Sequence, residues 1–333
     1  MRVAVIGAGS WGTALSIMAG RAGHSVRLWS RDEALVEEIK SERVNRKYLG
    51  GHRLPETVEP TSDPHEALSG AELVLLVIPS HGMREVLARM LPLFEEGMIF
   101  VSATKGIETG SGKRVSEILG EMLSEHFEPR FVSLSGPSFA KEVAEGQPTA
   151  VVAASHKLED ARTVQEALSI QNLRIYTNTD VVGVELGGAV KNVMAVAAGM
   201  VGGLGLGTNS IAALITRGLA EMARLALAEG ARMETLMGLA GLGDLVLTST
   251  GSLSRNRFVG QELGRGRSLE DILGGMSEVA EGVRTTLAVN RLAARLNVEM
   301  PITREVHAVL YETKGVREAA AALMNRPLRD EVD

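Results

Sequence analysis

The first half of the chain alternates short apolar runs with segments of helical periodicity. Residues 73–78 are consecutive apolar positions that stop at Pro79. Such an uninterrupted run is typical of a strand that is covered on both faces. Further strands are predicted at residues 3–6, 26–29, 99–101, 131–134 and 150–153, with helices at residues 10–21 and 32–40. This strand–helix alternation predicts a parallel sheet with helices on both faces.

The pattern changes near Asn178. Strand-like runs nearly vanish beyond it, and helices are predicted at residues 181–201, 211–228, 287–296 and 303–310. Asn178, Thr179 and Asp180 offer N-caps for the first of these helices. The sequence therefore predicts two domains, an α/β domain over residues 1–178 and an all-helical domain over residues 179–333.

Composition narrows the class of protein. Hydrophobic residues make up 45% of the 333 positions and charged residues 23%, which is the balance of a soluble globular protein. With 35 basic against 41 acidic side chains, the formal net charge of -6 argues against a general nucleic-acid or anionic-membrane surface. The cysteine count of 0 excludes disulfides, thiolate zinc sites and a cysteine nucleophile.

The start of the chain and its apolar stretches bear on location. The N-terminus runs directly into the first predicted strand, without the pattern of a signal peptide. The longest uncharged apolar stretch, residues 193–207, is shorter than the roughly 20 residues that a membrane span needs. We therefore expect a cytoplasmic protein with no membrane insertion.

A glycine-rich loop follows the first predicted strand and opens the first predicted helix. Its residues are Gly7, Ala8, Gly9, Ser10, Trp11 and Gly12. In such a loop Gly7 permits the tight turn, Gly9 lets the backbone approach a pyrophosphate, and Gly12 lets the helix pack closely on the strand. The pyrophosphate would lie over N–H groups at the helix N-terminus. Because strand, helix and second strand follow in order, the pattern favours a Rossmann-type dinucleotide site over a structural turn.

The end of the second predicted strand bears on which dinucleotide binds. An acidic residue at this position would hold the ribose 2′-hydroxyl of NAD. Here the position is Ser30, followed by Arg31, while Asp32 comes later and can begin the next helix. Arg31 is either a charge-assisted partner of a 2′-phosphate or an ordinary surface charge. The sequence favours NADP(H) without excluding NAD(H).

Two lysines are candidates for chemistry. Lys191 lies in an otherwise apolar predicted helix, where an amine is costly unless it is paired or its pKa falls. A lysine with a lowered pKa can act as a general base near neutral pH. The structural alternatives are a snorkelling side chain and an ion pair with Glu185. Lys105 lies between a strand end and Gly106, at the edge of a parallel sheet where ligands bind.

Three further segments carry polar groups after a glycine or a strand. Asp244 is either a turn residue or a carboxylate that holds a substrate hydroxyl or a lysine ammonium. Residues 254–257, Ser-Arg-Asn-Arg, form a dense donor cluster suited to phosphate, unless they are a solvated basic loop. Residues 135–140 follow another predicted strand and add backbone N–H groups and two hydroxyls. Metal-ligand spacings and a nucleophilic serine elbow are absent from the sequence, so we expect no metal.

Taken in order, these motifs resemble the bacterial NAD(P)-dependent sn-glycerol-3-phosphate dehydrogenases. The similar segments are residues 7–12, 79–81, 103–106, 135–140, 184–192, 215–221, 240–245, 254–257, 279–282 and 299–302. The resemblance implies a Rossmann domain followed by a helical domain, similar to 6-phosphogluconate dehydrogenase. It implies reversible reduction of dihydroxyacetone phosphate to sn-glycerol 3-phosphate for glycerophospholipid synthesis, with NADP(H) or NAD(H) as cofactor. It also suggests a homodimer that forms through the helical domain.

The resemblance also implies residue roles. It makes Lys191 the proton acceptor. The residues that it implies for the substrate are Lys105, Gly136, Ser138, Lys191, Asp244, Ser254, Arg255 and Asn256. The residues that it implies for the cofactor, besides the loop glycines, are Ser10, Trp11, Arg31, Tyr48, Lys105, Ala140, Arg255, Val279 and Glu281.

Two other function classes fit parts of the sequence. A related β-hydroxy-acid dehydrogenase would have the same two domains, and its Arg255 would clamp a carboxylate. A nucleotide-sensing protein would bind NAD(P) without turnover, and its Lys191 and Asp244 would be structural. Loss of turnover in a Lys191 variant separates the enzyme classes from the sensor.

Overall fold

The computed structural model describes residues 1–276, 280–328 and 330–331. The strands within these ranges are β1 (Arg2–Ile6), β2 (Ser25–Trp29), β3 (Val58–Thr61), β4 (Leu73–Leu76), β5 (Ile99–Ser102), β6 (Arg130–Ser135), β7 (Thr149–Ala154) and β8 (Leu173–Asn178). They form one sheet in the order β3-β2-β1-β4-β5-β6-β7-β8. The chain reverses its winding direction between β1 and β4, which is where doubly wound sheets open a crevice for ligands.

Helices cover both faces of this sheet. Up to β8 they are α1 (Ser10–Arg21), α2 (Glu33–Glu42), α3 (Arg46–Leu49), α4 (Pro64–Leu68), α5 (Met83–Met90), α6 (Val115–Leu123), α7 (Ala140–Glu145) and α8 (Leu158–Leu168). Alternate residues of the central strands enter opposite cores: Val3 and Val5 pack on one face, and Ala4 and Ile6 on the other. The uninterrupted apolar runs therefore arise from burial on both faces, as predicted.

The sheet is parallel, as predicted, except at one pair of strands. Strands β6 and β7 are antiparallel, with Leu134 opposite Ala153. The helix in their connection, α7, has 6 residues and is about 9 Å long, whereas a strand of that length spans about 20 Å. Because α7 cannot carry the chain back to the opposite edge of the sheet, β7 runs in the reverse direction.

After β8 the described residues form helices and turns. The helices are α9 (Val181–Gly203), α10 (Thr208–Ala228), α11 (Met233–Leu236), α12 (Asp244–Thr250), α13 (Arg255–Gly264), α14 (Leu269–Gly274), α15 (Glu281–Leu296), α16 (Pro301–Tyr311) and α17 (Val316–Met324). Asp180 caps α9 by accepting a hydrogen bond from the Gly183 N–H at 2.8 Å. By length and composition α9 could cross a membrane, but 94% of its apolar window is buried inside the protein.

Helices α9 and α13 cross so closely that their backbones are in contact. A Cβ atom added to Gly199 would lie 2.0 Å from the carbonyl oxygen of Arg257. A Cβ atom added to Gly260 would lie 1.9 Å from the carbonyl oxygen of Val196. The two helices approach this closely only because these positions carry no side chain. The crossing brings the start of α13 beside the middle of α9.

Candidate active site

Charged side chains from both parts of the chain meet at the carboxyl edge of the sheet. Lys105 follows β5, Lys191 lies in the middle of α9, and Asp244 opens α12. The Lys191 Nζ lies 2.6 Å from Asp244 Oδ1, and the Lys105 Nζ lies 2.7 Å from Asp244 Oδ2. One buried carboxylate therefore holds two ammonium groups, one on each of its oxygens.

Burial dominates the protonation of this group. It lowers the pKa of Lys191 to about 8, although the charge of Asp244 acts in the opposite direction. Burial alone would raise the pKa of Asp244, but the charges and hydrogen bonds of Lys105 and Lys191 hold it below its ordinary value. An amine with a pKa near 8 exchanges protons in the physiological range, as a general acid–base group requires.

Lys191 is neither a snorkelling lysine nor a partner of Glu185. Its side chain is 6% exposed, and its Nζ also donates to Thr248 Oγ1 at 2.6 Å. Glu185 instead accepts hydrogen bonds from Ser116 N–H at 2.9 Å and from Arg114. Thr248 was not predicted from the sequence, although it lies one helical turn after Asp244 and hence on the same face of α12.

Lys105 also reaches the loop that follows β6. Its Nζ donates to the carbonyl oxygen of Gly136 at 2.9 Å and lies 3.4 Å from Ser138 Oγ. Gly136 has a φ of +143°, and a Cβ atom there would lie 2.9 Å from Val151 Cα, so the turn requires glycine. The structure thus brings the predicted residues Lys105, Gly136 and Ser138 together.

A chain of amide hydrogen bonds links the elements around the lysines. Asn192 Nδ2 donates to the Lys105 carbonyl at 3.0 Å, and its Oδ1 accepts from Asn256 Nδ2 at 2.9 Å. Asn256 Oδ1 accepts in turn from the N–H of Gly282 at 2.9 Å. The sequence analysis did not single out Asn192, although a buried amide beside Lys191 in an apolar helix was a usable signal.

The predicted donor cluster lies in the first turn of α13. Ser254 caps this helix and accepts from the N–H of Arg257 at 3.2 Å. Arg255 is exposed and Asn256 is buried. The positive end of the helix dipole adds to the charge of Arg255, so the turn suits an anion.

Glu281 connects α15 to the turn after β4. Its Oε1 accepts a hydrogen bond from Ser80 N–H at 2.9 Å. Burial raises the pKa of Glu281 to about 7 against the opposing effects of that bond and of the nearby charges of Arg255, Lys191 and Arg284. Val279, which the resemblance assigns to the cofactor, lies outside the described residues.

The glycine loop fits a dinucleotide pyrophosphate. Gly7 has a φ of +120°, and a Cβ atom at Gly12 would lie 1.8 Å from the Gly7 carbonyl oxygen. A Cβ atom at Gly9 meets nothing within 4 Å, so that face of the loop is open. Within the described ranges, the Gly9 N–H and the buried Trp11 Nε1 have no acceptor. These donors point to a bound anion and a polar ligand group, as a nicotinamide dinucleotide would provide.

Arg31 is exposed and lies between the end of β2 and the start of α2. Burial lowers the pKa of His81, and the charges of Arg284 and Arg31 act in the same direction. Asp32 caps α2 through Leu35 N–H at 3.1 Å and pairs with Lys47 at 3.0 Å. It is therefore engaged in the start of that helix, as the sequence suggested.

The other predicted cofactor residues flank the loop. Trp11 and Tyr48 are partly buried against the core beneath it, and Ala140 is the first residue of α7. Helix α7 packs against α1, so Ala140 belongs to the same face of the sheet. Among the residues that the structure describes, acidic and histidine side chains form no group of three that could hold a metal.

The chain is similar to known proteins over nearly its whole length. Residues 2–161 match the family model described as NAD-dependent glycerol-3-phosphate dehydrogenase N-terminus, and residues 180–321 match the C-terminus model of the same family. A protein of Koribacter versatilis named glycerol-3-phosphate dehydrogenase, NAD(P)+, is 55% identical over 333 residues and 99% of each chain. The protein of that name from Geobacter sulfurreducens is 52% identical over 99% of this chain and 98% of its own.

A solved structure agrees with these matches. The crystal structure of glycerol-3-phosphate dehydrogenase from Coxiella burnetii superimposes with a TM-score of 0.93 at 41% identity, covering 98% of this chain and 99% of that one. The predicted fold, a Rossmann domain followed by a helical domain, is therefore confirmed, apart from the antiparallel pair of strands.

Proposed function

The chain belongs to the NAD-dependent glycerol-3-phosphate dehydrogenase family, and from this membership we propose how its own residues carry the reaction. It is an NAD(P)-dependent oxidoreductase that interconverts dihydroxyacetone phosphate and sn-glycerol 3-phosphate. The hydroxy-acid and nucleotide-sensing alternatives are not retained. The observation that supports the residue roles best is the contact of Lys191 and Lys105 with the single carboxylate of Asp244.

Lys191 is the proton donor and acceptor of this proposal. When bound, the reduced nicotinamide supplies the hydride that reaches the ketone carbon. The Lys191 ammonium then gives one proton to the ketone oxygen, which becomes the hydroxyl of the product. In the reverse direction the neutral amine takes that proton. The Lys191 Nζ donates a hydrogen bond of 2.6 Å to Asp244 Oδ1 and another of 2.6 Å to Thr248 Oγ1, and these two bonds hold the amine in place.

The remaining substrate contacts divide between two loops. The start of α13, with Ser254, Arg255 and Asn256, binds the phosphate, because a doubly charged group needs a cation and neutral donors together. Lys105 stabilises negative charge that develops on the ketone oxygen, and Gly136 and Ser138 hold Lys105 in position through contacts at 2.9 and 3.4 Å.

The proposal assigns the cofactor to the glycine loop and to the residues that the resemblance implies. The diphosphate binds across Gly7, Gly9 and Gly12, with Ser10 and Trp11 at the start of α1. Arg31 contacts a 2′-phosphate, so NADPH binds more tightly than NADH. Tyr48, Ala140, Val279 and Glu281 complete the cofactor site.

The proposal also covers the domain boundary, the cellular location, the oligomeric state and the metabolic role of the protein. The domain boundary falls between residues 178 and 179, which is supported by the end of β8 at Asn178 and by the start of the second family match at residue 180. The protein is cytoplasmic, forms a homodimer through its helical domain, and supplies sn-glycerol 3-phosphate for glycerophospholipid synthesis.

The first experiment follows the absorbance of the reduced nicotinamide with purified protein. Dihydroxyacetone phosphate should oxidise NADPH and NADH, and unphosphorylated dihydroxyacetone should react far more slowly because the donor cluster then has no partner. Equal rates with both ketones would contradict the assignment of α13 to the phosphate. Tight NADPH binding without any oxidation would contradict the reaction itself.

A further inference from the structure

Asn45 is buried beneath the glycine loop and belongs to none of the groups assigned above. It lies between α2 and α3, and its relative exposure is 0%. A buried amide is costly unless its donors and its acceptor are satisfied. In Asn45 both are.

The amide of Asn45 joins three segments that surround the cofactor loop. Its Nδ2 donates to the carbonyl oxygen of Ala8 at 2.9 Å and to Thr13 Oγ1 at 2.8 Å. Its Oδ1 accepts from the N–H of Tyr48 at 3.2 Å and so caps α3. One side chain therefore fixes a loop carbonyl, the first turn of α1, and the start of the helix that carries Tyr48.

The bond to Ala8 controls the direction of a neighbouring N–H group. In a trans peptide the carbonyl oxygen and the following N–H point to opposite sides. Because the Ala8 oxygen is held towards Asn45, the Gly9 N–H points away from it. This is the N–H that has no acceptor among the described residues, and Gly9 faces open space. Without the bond the Ala8–Gly9 peptide would be free to rotate, since glycine imposes few backbone limits.

The geometry points to Asn45 as a positioning residue for the cofactor pyrophosphate. It orients the Gly9 N–H towards the diphosphate and ties the loop to the segment that holds Tyr48. This inference rests on the proposed function, because it assumes that a dinucleotide binds at the glycine loop. The diphosphate is common to NADPH and NADH, so Asn45 acts on both cofactors equally. Arg31, in contrast, acts on the 2′-phosphate alone.

The test compares Asn45→Ala with Thr13→Val by direct binding of NADPH, NADH and ADP to the full-length protein. Thr13 is equally buried and loses its bond to Asn45, but the bond to Ala8 remains. Both variants should lose thermal stability. Only Asn45→Ala should weaken the binding of all three ligands, by about ten- to a hundredfold. This is the loss of affinity that corresponds to one hydrogen bond to a charged group. At saturating cofactor its kcat and its KM for dihydroxyacetone phosphate should stay within about threefold of wild type.

A second variant covers the case in which Asn45→Ala does not fold. Asn45→Ser keeps an N-cap acceptor for the Tyr48 N–H but is too short to reach Ala8. It should show the same loss of ADP affinity with a smaller loss of stability. Unchanged ADP affinity in either folded variant, or an equal loss in Thr13→Val, would overturn the inference. A wild-type protein that binds NADPH but does not reduce dihydroxyacetone phosphate would instead overturn the proposed function and leave this inference standing.

Discussion

Lys191 Nζ and Asp244 Oδ1 lie 2.6 Å apart, although 53 positions separate the two residues in the chain. The second oxygen of Asp244 binds Lys105, so the same carboxylate contacts both lysines. The ionisation of Lys191 is set by burial first and by this carboxylate second. Changes at either residue should therefore appear in the pH dependence of turnover.

The two reaction directions should depend on pH in opposite ways. Reduction needs the Lys191 ammonium, so kcat should fall as the pH rises through about 8. Oxidation needs the neutral amine, so kcat should rise through the same range. The measurement is kcat against pH in both directions at saturating cofactor. If kcat instead rose with pH in both directions, or fell with pH in both, another group would control the rate.

Lys191→Ala should remove several orders of magnitude from kcat and leave the dissociation constant of NADPH nearly unchanged. The reason is that the role proposed for Lys191 is to move the substrate proton, and Lys191 is not part of the glycine loop. The readouts are steady-state turnover and NADPH fluorescence. Lys40→Ala, at an exposed lysine of α2, is the matched control and should behave as wild type. Retained turnover in Lys191→Ala would contradict the acid–base assignment.

Asp244→Asn should move the pH profile of reduction to lower pH. The charge of Asp244 raises the pKa of Lys191, so its removal leaves burial and Lys105 to lower that pKa further. We expect a downward shift of about one unit or more, together with a lower kcat at neutral pH. An upward shift, or none, would mean that Asp244 does not stabilise the Lys191 ammonium.

Arg31→Ala should lower the affinity for NADPH about ten- to a hundredfold, since the substitution removes a charge-assisted hydrogen bond to the 2′-phosphate. NADH affinity should change by less than about threefold because that cofactor has no such group. The control is Arg46→Ala, which removes another exposed arginine near the loop. Equal weakening of both cofactors would show that Arg31 does not contact the 2′-phosphate.

Glu221 should make stability depend on pH. It is buried and accepts the N–H groups of Ile302 and Thr303 at 2.6 and 3.2 Å, at the start of α16. Burial raises its pKa from 4.5 to about 7. The folded protein therefore holds this proton where the unfolded chain has lost it, and stability falls as the pH rises between these values.

The size of this effect is about 3 kcal/mol, from roughly 1.4 kcal/mol per pKa unit. Urea unfolding of wild type and Glu221→Gln at about pH 5 and about pH 8 should show that the stability advantage of wild type shrinks by this order. Glu318→Gln, at an exposed glutamate of α17, should show no such change. A pH-independent difference between wild type and Glu221→Gln would refute the role of Glu221.

Several elements of the fold could be predicted because their signals are local. Helix α1 (Ser10–Arg21) has the predicted bounds, since the glycine loop and Gly23 mark its ends. The sequence analysis missed β3 (Val58–Thr61), which contains Glu59 and Pro60 and lies at the sheet edge. It also missed β8, in which exposed Arg174 alternates with buried Ile175 instead of forming an apolar run.

The site was harder to predict because its contacts join distant segments. Lys191 and Asp244 could each be singled out, and a lysine ammonium was one of the partners expected for Asp244, but the sequence could not decide between that partner and a substrate hydroxyl. The sequence does not identify Asn45 as a buried residue, because its position between Val44 and Arg46 is typical of a surface turn. Only the fold shows that it is buried beneath Ala8. Polar residues of this kind are identified by what surrounds them rather than by their neighbours in the chain.

With the roles proposed above, the crossing of α9 and α13 fixes the separation between the group that moves the proton and the donors that bind the phosphate. The proposed proton donor, Lys191, belongs to α9 and the proposed phosphate donors belong to α13, and the two helices already touch at Gly199 and Gly260. A methyl group added at either glycine would push the two helices apart. We therefore expect the helix crossing to favour a three-carbon phosphate as substrate. In Gly260→Ala, turnover of the natural ketone should fall more than turnover of a homologue one carbon longer.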